Sequence, residues 1–153
     1  MTHLQDIIKS LLDRIKDDGA VASVILDTRP MTNVNISEAT MPCAVCYCIS
    51  NWRLDIRNLR RREIADINVL FVDRQPNYGF DGQNNTDIVQ PLEDIAAVFV
   101  ARLLAIHDVE VEGNEINART LFDEYDTNVT GVQLTLRVRE LQGECLTTEF
   151  PEP

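Results

Sequence analysis

The sequence predicts an α+β fold: a mostly antiparallel sheet with two helices on one face, in the order α-β-β-β-α-β-β. Three observations carry this expectation. Leu4, Ile7, Ile8, Leu11, Leu12 and Ile15 recur at helical spacing, and Ile88, Leu92, Ile95, Ala96, Phe99 and Leu103 do so again further on. Apolar and polar residues alternate at strand period elsewhere, most cleanly over Val132, Leu134, Leu136 and Val138. The strand-like segments are also grouped rather than interleaved with helices, which favours hairpins over parallel crossovers. At 153 residues the chain fits one domain, assigned to residues 1–142, with 143–153 as a C-terminal tail that is disordered or docks on a neighbour.

The elements follow in order. Thr2-His3-Leu4-Gln5 matches a capping box, with Thr2 as N-cap and Gln5 reaching back to it. Lys16-Asp17-Asp18-Gly19 ends the helix, with Gly19 suited to a left-handed terminal residue. Residues 20–27 read as a strand, and Thr28 to Met41 as a polar loop. Residues 42–49 are apolar on both parities, as in a strand buried on both faces. In the next strand, 64–72, Ala65, Ile67, Val69 and Phe71 line one face while Asp66 and Asn68 point the other way. The Arg-rich stretch 50–63 between these strands is expected to project as an extended hairpin tip. Pro76 to Asn85 has turn chemistry and reads as an exposed loop. Thr86 or Asp87 then caps the second helix, with Pro91 in its first turn and the end near His107. Val109 and Val111 alternate with Asp108, Glu110 and Glu112 in a strand with one wet face, and 132–138 closes the sheet.

Charge is unevenly placed. Lys and Arg number 14 against 25 Asp and Glu, net −11, which argues against a general nucleic-acid binder. Residues 1–76 are neutral, and the whole excess lies in 77–153. Residues 50–63 hold Arg53, Arg57, Arg60, Arg61 and Arg62 against two acids, net +3. Residues 108–126 hold seven acids against Arg119, net −6. Unlike patches on one small chain can pair head to tail between copies, and such pairing makes rings when the rotation closes. No apolar run approaches the roughly 20 residues of a membrane span. The first residues show neither a basic region nor an apolar run, so no signal peptide is expected.

Catalytic signatures are absent, and no cofactor or metal site is expected. Cys43-x-x-Cys46 has metal-ligand spacing, but in a strand the two thiols point to opposite faces, so core packing is the preferred reading of both. His3 and His107 fall in a first helical turn and near a helix end, with no nucleophile in a signature context. Residues 79–82 lack the Gly-Lys-Ser/Thr of a phosphate loop, and 81–92 place Gly82 and Leu92 where an EF-hand forbids them. Tyr78 and Phe80 are candidate exposed anchors for a partner.

Met41-Pro42-Cys43-Ala44-Val45-Cys46-Tyr47, followed after a polar stretch by Ala65-Asp66-Ile67-Asn68-Val69-Leu70-Phe71-Val72, resembles the small tail-terminator and tail-completion proteins of long-tailed bacteriophages. The family pattern is an amphipathic N-terminal helix, a Pro-started apolar strand, a long strand ending in an aromatic, a helix and a closing hairpin. Here 4–15, 88–103 and 132–138 fill the remaining places. The resemblance covers roughly residues 1–141 and implies a non-enzymatic virion protein, assembled in the host bacterial cytoplasm. It implies a six-fold ring that caps the tail tube, contacts the tube protein and a head-completion protein, and lets DNA pass. The Arg cluster matches no family position. Arg53, Arg57, Arg60, Arg61, Arg62, Tyr78, Phe80, Glu110 and Glu112 are the expected interface residues, toward a neighbouring copy or the tube protein. Other readings stay open: a connector or adaptor module of a phage neck or contractile assembly, and a small ligand-binding or enzymatic domain using 76–87 with Glu110 and Glu112. Charge reversal at Arg60, Arg61 and Arg62 together is expected to weaken self-assembly; assembly unchanged in sedimentation velocity would remove the cluster from the interface.

Overall fold

Two long alternating segments pair first in any account of this sheet, because each buries one full face. In the computed structural model, which describes residues 2–27, 39–49, 51–56, 60–74, 82–124, 129–141 and 144–150, they are β4 (Arg60–Arg74) and β7 (Val129–Glu140). They run antiparallel from Ile64↔Arg139 to Arg74↔Val129. On the other edge of β4 lies β2 (Cys43–Tyr47), antiparallel, with β1 (Ser23–Asp27) parallel to it. β3 (Trp52–Asp55) folds back on the start of β4, from Trp52↔Ala65 to Asp55↔Arg62. β5 (Val109–Val111) and β6 (Asn117–Glu124) share the outer edge of β7. β8 (Glu144–Cys145) pairs with Arg60 and Arg61. The described residues thus form an eight-stranded, mostly antiparallel sheet.

Both helices, α1 (Thr2–Asp17) and α2 (Gly82–Leu104), lie on one face of this sheet. Leu4, Ile8, Leu12 and Ile15 of α1 and Leu92, Phe99 and Leu103 of α2 meet Ala65, Ile67, Val69 and Phe71 of β4 and Leu134, Leu136 and Val138 of β7. The Phe71 and Phe99 rings stand 5.8 Å apart between centroids, tilted by 60°. Each such large side chain contributes about 1.5–3 kcal/mol by leaving water. A second buried cluster, Cys43, Val45, Leu70, Val72, Leu121 and Val129, occupies part of the opposite face, with Met41 and Tyr47 packed against it. This is why 43–46 is apolar on both parities: β2 is covered on both sides.

The fold class and the expected elements stand, with β3, β6 and β8 added and several local corrections. Gln5 does not close a capping box: its Oε1 accepts the backbone N–H of Ile49 at 3.1 Å, tying α1 to the end of β2. A half-buried N–H just past a strand end needs a partner that water cannot fully supply. Gly19 is left-handed at φ +84°, as expected. α2 starts at Gly82, so the end of the expected loop, 82–85, is helical and Pro91 sits inside the helix rather than in its first turn. Pro91 is exposed, on the solvent side of the helix. Within the expected tail, Glu144 and Cys145 join the sheet.

Gly131 faces Val72 across the central ladder, and a Cβ there would run into the Phe71 carbonyl oxygen and lie 2.8 Å from the Val72 Cα. Both obstacles are backbone of the strand that the whole sheet is built on. Gly131→Ala is expected to destabilise the protein by about 2–3 kcal/mol or prevent folding; an unchanged urea midpoint would refute the close approach.

Candidate functional site

Alternation along β4 and β7 decides which side chains reach each face. Residues of one parity enter the helix-covered core. The other parity places Asp66 and Asn68 of β4 beside Gln133, Thr135, Arg137 and Arg139 of β7 on the open face. Cross-strand pairs there are polar. Thr135 Oγ1 donates to Asn68 Oδ1 at 2.9 Å, and Arg137 Nε donates to Asp66 Oδ1 at 2.8 Å. Glu112, just past β5, accepts from Arg139 Nη2 at 2.8 Å, with Arg137 Nη1 at 3.7 Å from its other oxygen. Arg139's hydrogen bond and the charges of Arg139, Arg137 and Arg53 hold the Glu112 carboxyl below the usual range.

This locates the expected interface residues. Arg53, Glu110 and Glu112 come to the same open face, where Glu112 is already engaged by cations of its own chain. Arg60 and Arg62 lie on the β3–β4 hairpin. Arg61 lies on it too, in backbone register with Glu144. Arg57, Tyr78 and Phe80 fall outside the described residues. Cys43 and Cys46 are buried in different clusters on opposite faces, which separates them from any shared ion. Burial pushes the Cys46 thiol up to about 12, so it is inert at neutral pH. Among the described residues no group of His, Cys, Asp and Glu is placed to hold a metal.

Two features were not visible in sequence. The first is the hairpin's apolar surface. β3 and the start of β4 form an arm at the end of the sheet, overlapping the β4–β7 ladder at Trp52 and running beyond it from Asp55, and Trp52, Leu54 and Ile56 on it are 45%, 45% and 64% exposed. The second is an apolar groove of about 810 Å³ between α2 and the β5–β6 edge. Its helix wall is Ala97, Val100, Ala101 and Leu104, and its floor is Ala118, Thr120, Val132 and Leu134. The groove exists because Ala97, Ala101, Ala118 and Thr120 are small: the helix covers β4 and β7, while β6 lies beyond it.

A third feature lies where the arm leaves the body. The ladder register continues from Ile64↔Arg139 to set Glu63 opposite Glu140, both buried on the helix side. Burial, then the charge of Glu63 and a hydrogen bond to it, push the Glu140 carboxyl above the usual range; His3, with Nδ1 3.5 Å from Glu140 Oε1, pulls the other way. The protonated form can donate a hydrogen bond where two carboxylates would repel.

No protein-family model matches this chain, and no curated protein sequence matches it significantly.

The two shifted carboxyls act on stability in opposite pH windows. Glu140 holds its proton above the ordinary 4.5, so its contribution is complete below that pH and is lost as pH rises through the raised value. Glu112 is held below 4.5, so its contribution is present above that pH and is lost as pH falls through the lowered value. In melting temperature against pH, Glu140→Gln is expected to flatten the weakly acidic-to-neutral side and Glu112→Gln the strongly acidic side. A parallel curve for either variant would refute its assignment.

Proposed function

We propose that the chain is a bacteriophage or prophage virion subunit that assembles as a ring, caps the tail tube and contributes to joining head and tail. The observation that carries this reading is the arm, a strand pair at the end of the sheet with three large apolar side chains exposed. Exposed apolar side chains gathered on one projecting element mark a surface made for a protein partner. The order of elements supports the reading as well, since it follows the pattern of the tail-terminator family that the sequence resembles.

The work of such a subunit is interface physics. Trp52, Leu54 and Ile56 gain about 25 cal/mol for each Å² of apolar surface removed from water. A stable contact must bury roughly 1,200–2,000 Å² in total to offset the freedom lost on association. Arg is suited to the polar rim of such a contact, because its planar guanidinium forms paired hydrogen bonds with carboxylates. The partners in this reading are further copies of the chain, the tube protein and a head-completion protein. The acidic half would face the lumen, where like charge keeps DNA phosphates from sticking as the genome passes. No catalytic residue is required.

Native mass spectrometry over a concentration series, followed by addition to polymerising tail tubes, tests this. A six-fold ring that stops tube growth is the expected result. A ring that binds head connectors and leaves tube growth unaffected would assign the chain to the neck instead. A monomer carrying a stoichiometric small molecule would overturn the structural role.

A further inference from the structure

We propose that the arm of one copy seats in the groove between α2 and β6 of a second copy. This rests on the self-assembly part of the reading above and is independent of any role at a tail tube. Three properties match the two surfaces. Trp52 and Leu54 occupy alternate positions of β3 and project from the same face of the arm, with Ile56 next in the series. The groove offers about 810 Å³ with walls that are mainly aliphatic, room for large anchors of this kind, and none of the described residues fills it. Tryptophan is among the residues enriched at interface hot spots, where it fills a desolvated pocket.

Charge selects this pairing over others. The arm segment 50–63 carries net +3, whereas the charged residues lining the groove, Glu93, Glu115 and Arg119, are net −1. Glu93 and Glu115 stand on the groove's rim, with Arg119 as the cation among its lining residues. The exposed Leu146 and Phe150 of the C-terminal segment are the other apolar candidates, but they flank Glu149 and would bring acid to an acidic rim. The arm cannot enter its own groove. β3 lies on the β2 side of β4, whereas β6 lies beyond β7. The hydrogen-bonded strands between them hold the two apart by roughly 14 Å, three inter-strand spacings. The contact is therefore between copies and joins two different surfaces.

That asymmetry supplies the test. Trp52→Ser/Leu54→Ser removes the anchors, and Ala97→Trp fills the groove from an exposed helix position. Both variants are checked for wild-type melting and helix content, then studied by sedimentation and native mass spectrometry. Each alone is expected to self-associate at least about tenfold more weakly than wild type. Mixed one to one, they are expected to form a heterodimer that grows no further, since one intact arm meets one intact groove. Wild-type association in either variant, or no heterodimer on mixing, would overturn the proposal. Loss of association in Phe150→Ser but not in the arm variant would assign the groove to the C-terminal segment and overturn it too. Heterodimer formation by subunits whose wild type fails to cap tubes would leave the proposal standing and remove only the tail reading.

Discussion

The β4–β7 ladder is the constraint on which the rest of the molecule depends. Its register, Ile67 opposite Leu136 and Val69 opposite Leu134, aligns the apolar parity of both strands on one side. A slip of one residue would turn Asp66, Asn68, Arg137 and Arg139 into the helix-covered core. The close approach of Gly131 to the backbone of Phe71 and Val72 pins the same register. Both helices, the polar ladder of the open face and the second apolar cluster all take their places from this pairing. So does its one costly feature. At the end of the ladder the same parity carries Glu63 and Glu140 to the core side, where burial raises the Glu140 carboxyl above its usual range.

Arm and groove are both consequences of elements whose lengths do not match. β4 is 15 residues and β7 is 12, so β4 runs on past the ladder with β3 on one edge and the short β8 beside its tip. β3 adds to the edge of β4 at this end, and Trp52, Leu54 and Ile56 remain exposed there. At the other edge the sheet is wider than its helical layer. β6 presents Ala118 and Thr120 to the groove, and Ala97 and Ala101 of α2 leave the space between them open. Larger residues at these four positions would close the core; the small ones leave an apolar trough.

Much of the fold was legible because it rests on period. The alternation of 64–72 and 132–138 and the stripe of α1 each identify a buried face without reference to anything distant. What escaped depends on distant partners. In β6 Leu121 joins the cluster on the open face, while Ala118 and Thr120 at the groove are small, so the segment shows no clear strand alternation of its own. Gln5 looks like a capping residue until Ile49 is brought to it from 44 residues away. Residues 82–85 have turn chemistry, yet they continue a helix whose stability comes from Leu92, Phe99 and Leu103 packing further on. Of the candidate site, the basic hairpin was readable from its arginines. The groove was not, because alanines at helical and strand spacing carry no sign of the space they leave.

The placement of the two surfaces has a consequence for assembly. Arm and groove lie on opposite edges of one rigid sheet, so an arm-to-groove contact is heterologous, and a subunit joined on one side still offers a free surface on the other. Such a contact cannot saturate at a dimer. It continues in one direction until the rotation per step returns to the start, or else it grows as an open helix. The sheet's geometry fixes that rotation, because the arm is built into β4 by hydrogen bonds rather than tethered by a linker. A ring subunit needs this rigidity: a flexible arm would satisfy the contact at many angles and yield chains of every length. The asymmetry of charge, basic on the arm and acidic beside the groove, acts in the same sense, since arm-to-arm and groove-to-groove encounters are disfavoured before any apolar contact forms.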